Sequence, residues 1–201
     1  MAEQVNGYKK LLAPEYDSYN HYKNYCLSHG INVDFFTIVR GFGNQCWDVP
    51  ALLWYQYGLR LETGNGYAYG CYALKRDVNA RFPFVKVERV ADIKKGDILC
   101  FWPSGLNYTG HICFADADYK DRYFDDRTQT WKLDCLGQNQ GQGTSSGTPS
   151  NVVGINLNRF CGGFRNTQWK PEEPEPIVID DQFRKLFPWA IYSRKFRNKR
   201  K

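Results

Sequence analysis

The sequence predicts an α+β domain. Three observations carry that expectation. Helix-compatible apolar spacing is confined to the first third of the chain, short apolar strand-like runs separated by turn residues fill much of the remainder, and no block is low in complexity. A 201-residue chain that is 42% hydrophobic and 16% aromatic can bury one real core with a short appendage, which excludes collagen-like, coiled-coil and broadly disordered classes. No run of about 18 apolar residues occurs, so no membrane span is expected. Met1 to Tyr16 carries Lys9-Lys10 and no apolar h-region, which predicts no secretory leader.

Taken in order, residues 1–40 are polar and rich in Tyr, with a weak helical pattern around Tyr16 to Ser28, and form an N-terminal helical extension. Gly41-Phe-Gly-Asn44 reads as a turn. Cys46 to Tyr57 then places Trp47, Ala51, Trp54 and Tyr55 at helical spacing, with Pro50 in the first turn, where a missing N–H costs least. Thr63 to Gly70 is a Gly-rich connection. After it, Lys94-Lys-Gly-Asp97 reads as a turn, and Ile98 to Trp102, Gly110 to Ala115 and Trp131 to Leu136 as strands. Tyr119 to Arg127 is a charged hairpin loop, Gly137 to Ser150 a long polar loop, and Val152 to Leu157 and Phe160 to Phe164 closing strands. The main domain is expected over 41–165. Residues 166–201 hold an acidic Pro-rich linker, Pro171-Glu-Glu-Pro-Glu-Pro176, and a basic aromatic tail.

The net charge of +6 belongs to that tail. Arg184 to Lys201 has eight Lys/Arg and no Asp/Glu, which leaves 19 basic against 21 acidic residues, or −2, for the rest. This balance argues against nucleic acid as the partner of the main domain. Residues 183–201 interleave Phe183, Phe187, Trp189, Tyr192 and Phe196 with Arg and Lys, a pattern suited to stacking on and docking with an anionic polymer.

Candidate chemistry rests on few residues. Of three histidines, His21 and His29 lie in the polar N-terminal region and read as surface residues, whereas His111 opens an apolar strand after Gly110. Seven scattered cysteines include no CxxC pair, and Cys100, Cys113 and Cys135 fall in apolar runs where a reduced thiol packs as a small hydrophobe. Cys46 differs because it sits at a turn-to-helix junction. A helix N-terminus lowers a thiol pKa and offers N–H donors to a developing oxyanion, and an imidazole can take the thiol proton. A third group should orient that imidazole, and Gln138, Asn139, Asp116 and Asp118 are the candidates.

Asn44-Gln-Cys-Trp-Asp48 heading a helix, Gly96-Asp97 opening a strand, Gly110-His111 opening the next and Leu136-Gly-Gln-Asn139 after it together resemble the CHAP domain. This is the cysteine, histidine-dependent amidohydrolase/peptidase family, related to the papain-like and NlpC/P60 folds. Gly163-Phe-Arg165 resembles the end of such domains, and the likeness covers roughly Gly41 to Arg165. It is greatest to CHAP domains of phage lysins that attack Gram-positive cell walls.

The resemblance implies a papain-like α+β fold with N-terminal helices packed on an antiparallel sheet. It implies cleavage of a peptidoglycan amide bond, as an N-acetylmuramoyl-L-alanine amidase or a stem or cross-bridge endopeptidase. Carried onto this chain, Cys46 is the nucleophile, His111 the base and then acid, and Asn139 the orienting group, with Gln45, Gln138 and the Cys46 N–H around the oxyanion. Where many members carry Glu, this chain has Gly137. The acidic run that binds calcium in some members has no counterpart from Val39 to Gln45, so no metal or other cofactor is expected. An NlpC/P60 peptidase would place a second His after the first, and none follows His111. Such an enzyme would collect in the host cytoplasm before lysis or travel in the virion tail. The non-enzymatic alternative is a virion component that only binds wall polymer, although such a protein has no need of a Cys46/His111 pair.

Overall fold

A computed structural model of the chain describes residues 4–5, 8–9, 16–29, 45–57, 83–103, 110–140 and 147–170. The expected turn at Gly41 to Asn44, the connection from Thr63 to Gly70 and the linker and tail beyond 170 lie outside the described residues. Helices α1 (Tyr19–His29) and α2 (Asp48–Gln56) precede the main strands. A short hairpin of β1 (Gln4–Val5) and β2 (Tyr8–Lys9) precedes both helices.

Seven further strands form one antiparallel sheet: β3 (Phe84–Val87), β4 (Ile98–Phe101), β5 (His111–Ala115), β6 (Tyr123–Asp125), β7 (Thr130–Gly137), β8 (Asn151–Asn156) and β9 (Phe160–Asn166). Their order is β3-β9-β4-β5-β7-β6, with β8 also on β7. Lys132 partners both Tyr123 and Asn156, so β6 and β8 flank β7 on opposite sides. The expected hairpin loop at Tyr119 to Arg127 is more ordered than a loop. It contains a 3-10 turn at Tyr119–Asp121 and strand β6.

Strand alternation divides the core into two layers. Ile98, Cys100, Ile112 and Phe114 face α1 and α2, where Tyr22, Cys26, Trp47, Leu52 and Trp54 meet them. Leu99, Phe101, Cys113 and Ala115 face the other way, onto Val87, Ile93, Leu133, Cys135 and Leu157. Both faces are covered, which is why β4 is buried at every residue. Six cysteines are free thiols among the described residues, five of them buried. Helix α1 belongs to the same core as α2, and Trp169, just past β9, packs on Tyr19, Tyr22 and Phe114.

Two features of the sequence acquire partners here. Asp97, whose side chain is 1% exposed, receives both prongs of the Arg165 guanidinium, Nε to Oδ1 at 2.8 Å and Nη2 to Oδ2 at 2.7 Å. Gly163 lies opposite Leu99, where an added Cβ would meet the Ile98 carbonyl oxygen at 2.2 Å. That oxygen is backbone and cannot swing aside. Gly163→Ala should therefore cost about 3 kcal/mol, the upper range for overpacking. Urea unfolding would measure it, and a loss below about 1 kcal/mol would show that β4 and β9 part easily.

Candidate active site

Cys46 lies in the turn that starts α2. Asp48 reaches back so that its Oδ2 accepts the Gln45 N–H at 2.9 Å, while the Asp48 N–H donates to the Gln45 carbonyl at 3.1 Å. This reciprocal pair caps the helix, and a carboxylate in the first turn suits the positive end of its dipole. Val49, Ala51, Leu52, Leu53 and Trp54 are all buried, so the helix is packed on every side.

The segment leaving β7 grips this turn. Gln138, fully buried, donates from Nε2 to the Gln45 carbonyl at 3.3 Å and to Asp48 Oδ2 at 3.4 Å, and its Oε1 accepts the Ser150 hydroxyl. Asn139 donates from Nδ2 to Gln45 Oε1 at 3.2 Å. Asn139 has φ of 49°, a left-handed conformation that Asn tolerates better than most residues.

His111 opens β5 and is held by Gln140. Its Nε2 lies 3.1 Å from Gln140 Oε1. The amide cannot be turned the other way round, because its Nε2 donates to two carbonyls, those of Cys135 at 2.8 Å and Asn151 at 3.0 Å. The oxygen therefore faces the ring, and His111 must donate from Nε2–H. The neutral ring then keeps its lone pair on Nδ1, the nitrogen able to take a proton.

The expected orienting group is thus corrected: Gln140 holds the imidazole, and Asn139 holds the Cys46 turn. The left-handed residue is the physical reason, since it reverses the chain between the two side chains. Asp116 binds the Lys23 ammonium and the Tyr19 hydroxyl, and Asp118 accepts the Lys95 N–H, so neither reaches His111. Gln138 braces the turn with both hydrogens of its amide, and neither remains for an oxyanion. Sequence reasoning misses Gln140, although one signal is present. It is the third amide after a strand, beyond a residue with no side chain.

Cys46 and His111 come to the same end of β5 from its two sides. Cys46 packs in the helix-side layer, and its sulfur faces the Ile112 N–H. His111 shares the face of Cys113 and stands beside Phe101. No hydrogen bond joins thiol and imidazole among the described residues, and Cys46 is 4% exposed. Burial pushes its thiol up from 9.0 to about 12, against the pull of the Ile112, Trp47 and Cys46 N–H groups. Burial also pulls His111 below its ordinary 6.5, with Gln140 opposing. At neutral pH both groups are therefore uncharged. An open cleft of about 580 Å³ lies elsewhere, lined by Lys86, Arg89, Lys94, Lys120 and Arg165 among others, and includes neither Cys46 nor His111. Among the described residues, no three His, Cys, Asp or Glu groups gather as metal ligands would.

These shifts set a stability window. The unfolded chain protonates its histidine at 6.5 before folded His111 does, so stability falls as pH drops below 6.5. The unfolded chain loses thiol protons near 9.0 while folded Cys46 retains its own toward 12, so stability also falls as pH rises above 9. Urea midpoints should be flat between these limits and decline outside them. A midpoint still level at pH 5 would show that the fold does not hold His111 neutral.

The fold and site define an α+β domain with a cysteine in the turn before a helix that packs on an antiparallel sheet. No family model matches the chain, and no curated protein does. Among solved structures, the chain is similar to the crystal structure of a wild-type endolysin, LysIME-EF1, with a TM-score of 0.52 and 19% identity. The alignment covers 75% of this chain and 64% of that one, so the chain spans less than two thirds of the endolysin's length. At this identity the shared property is the fold. No helix among the described residues is long and apolar enough to cross a membrane.

Proposed function

We propose that the chain is a phage cysteine hydrolase of the CHAP type that cleaves an amide bond of Gram-positive peptidoglycan. The observation that carries this reading is that one end of β5 brings together Cys46, in the capped turn before α2 with its sulfur toward the Ile112 N–H, and the neighbouring His111, whose Nε2 lies 3.1 Å from Gln140 Oε1. The fold likeness to an endolysin supports it.

The chemistry follows from the groups present. The Cys46 thiol gives its proton to Nδ1 of His111 as the sulfur attacks the amide carbonyl. The oxyanion takes its hydrogen bonds from N–H groups at the start of α2. Collapse breaks the C–N bond, and the amine leaves with the proton from His111. Water then gives a proton to the same nitrogen and attacks the thioester, and the returning proton restores the thiol. Neutral partners suit this route, since the proton moves during attack and no resting ion pair is required. For this transfer the ring must move toward the sulfur, since the two groups stand on opposite sides of β5.

A second reading, a virion component that binds wall polymer without cutting it, is favoured by the near-complete burial of Cys46. One experiment separates them. Gram-positive walls are incubated with the intact protein and with Cys46→Ala, following turbidity and newly released amines. Release by the intact protein alone supports the hydrolase, and mass spectrometry of the fragments names the bond. Wall binding with no Cys46-dependent amine release would overturn it. The enzyme's residence in the host cytoplasm before lysis, or in the virion tail, belongs to the same proposal, as does docking of 183–201 on wall polymer or another virion protein.

A further inference from the structure

We propose that Gln140 is the positioning residue that sets the tautomer of His111, and that Gly137 is its required counterpart because a side chain there would occupy the place of the Gln140 amide. The proposal concerns the site of the hydrolase reading and rests on it for its catalytic consequence only.

The geometry is specific. A Cβ built on Gly137 would lie 2.6 Å from Gln140 Oε1, the atom that accepts from His111, and 3.1 Å from both Gln140 Cδ and Cys113 Cβ. Gly137 has no positive φ, so its backbone suits any L-residue and the demand is for space alone. Gln140 runs back along β7 through the gap that the missing side chain leaves. It bonds the Cys135 and Asn151 carbonyls with its nitrogen and presents its oxygen to the ring. Two backbone acceptors thus determine one orientation of one amide, and that orientation determines the ring's proton. The neighbouring Gln138 and Asn139 grip the Cys46 turn, so three consecutive amides position both halves of the site.

The two positions are unequal as lesions. The one atom nearer than 3.0 Å to a new Cβ at Gly137 is the far end of the flexible Gln140 side chain, while Cys113 Cβ at 3.1 Å need give only a few tenths of an ångström. Gly137→Ala should therefore leave the sheet folded while expelling the Gln140 oxygen from His111. Gln140→Ala removes the same contact directly. If both act through that contact, the double variant should be no worse for His111 than Gln140→Ala alone.

The test reads the ring itself. Long-range proton–nitrogen NMR of the full chain, with His111 assigned by loss of its signals in His111→Ala, reports the tautomer and its titration. The intact protein should show a single Nε2–H form. Gln140→Ala and Gly137→Ala should both show a mixture of the two tautomers. Gln140→Glu, which places a carboxylate at the ring, should raise the His111 pKa by about one unit. Wall hydrolysis by Gln140→Ala should fall by about 10- to 100-fold in kcat with little change in KM, as expected for misplacing a general base. An unchanged tautomer in Gln140→Ala would overturn the proposal, as would a Gly137→Ala protein that keeps the single form. If the tautomer responds as stated while the intact protein releases no amines from walls, the hydrolase reading falls and the hold of Gln140 on His111 stands.

Discussion

Cys46→Ala and His111→Ala should each reduce amine release from cell walls by on the order of 10⁴-fold or more, and the double variant should be no worse than the more damaging single one. Nucleophile and base act as a unit, so losing either removes the whole covalent route and leaves only binding and oxyanion stabilisation. The loss should not reflect unfolding. Cys46→Ala removes one heavy atom from a buried site, a change of about 1 kcal/mol by the usual reckoning for small truncations in a core. His111→Ala should cost more, because it leaves the Gln140 oxygen buried without its donor, roughly 1–3 kcal/mol. Initial rates on walls, with urea unfolding of the same preparations, check both statements. Activity retained within about tenfold in Cys46→Ala would end the thiol mechanism, since general acid–base help alone supplies more than that.

A stability loss as large as that of Gly163→Ala, about 3 kcal/mol, is expected at Arg165→Ala. Asp97 stands at the start of β4, where its Oδ2 also accepts the Lys94 N–H at 2.8 Å and its carbonyl accepts the Ala115 N–H at 2.8 Å. Burial pushes its carboxyl up, and the Arg165 guanidinium is the main force holding it down. Removing one member of a buried ion pair strands the other charge, typically at 3–5 kcal/mol. Arg165 is itself a third exposed, which places the cost at the low end. In a domain whose whole stability is of order 5–15 kcal/mol, that is a large fraction.

The pH dependence of this variant gives a second check on the same pair. Burial already holds folded Asp97 above its unfolded value of 3.8, and losing Arg165 raises it further, so the folded variant takes up the extra proton at higher pH than the intact protein does. The penalty of Arg165→Ala should therefore shrink as pH falls toward 4. Adding Asp97→Asn should recover part of it at neutral pH. Urea unfolding at several pH values measures both, and a penalty that grows on acidification would assign the loss to packing and not to the stranded carboxylate.

Parts of this molecule were legible because they are local. Helical spacing from Cys46 to Tyr57 marked α2, and apolar runs at Ile98, Gly110 and Trp131 marked β4, β5 and β7, each within a residue or two. The position of Cys46 at a helix start and of His111 at a strand start followed from the same short-range signals. Strand β6 did not announce itself. Tyr123–Asp125 is a three-residue edge strand with no full alternation, and its pairing with Thr130–Lys132 makes it a strand.

Local pattern, then, settled the order of elements and the two residues that stand at their ends, since periodicity over a few positions encodes both. Which groups meet was decided by packing alone. Asp97 and Arg165 pair across 68 residues because β9 lies beside β4, a register that no local pattern states. Gln140, and not Asn139, reaches His111 because one left-handed residue turns the chain and one missing Cβ at Gly137 opens the path. Three amides in a row are alike in composition. Their partners differ through backbone direction and free space, which exist only once the strands have packed.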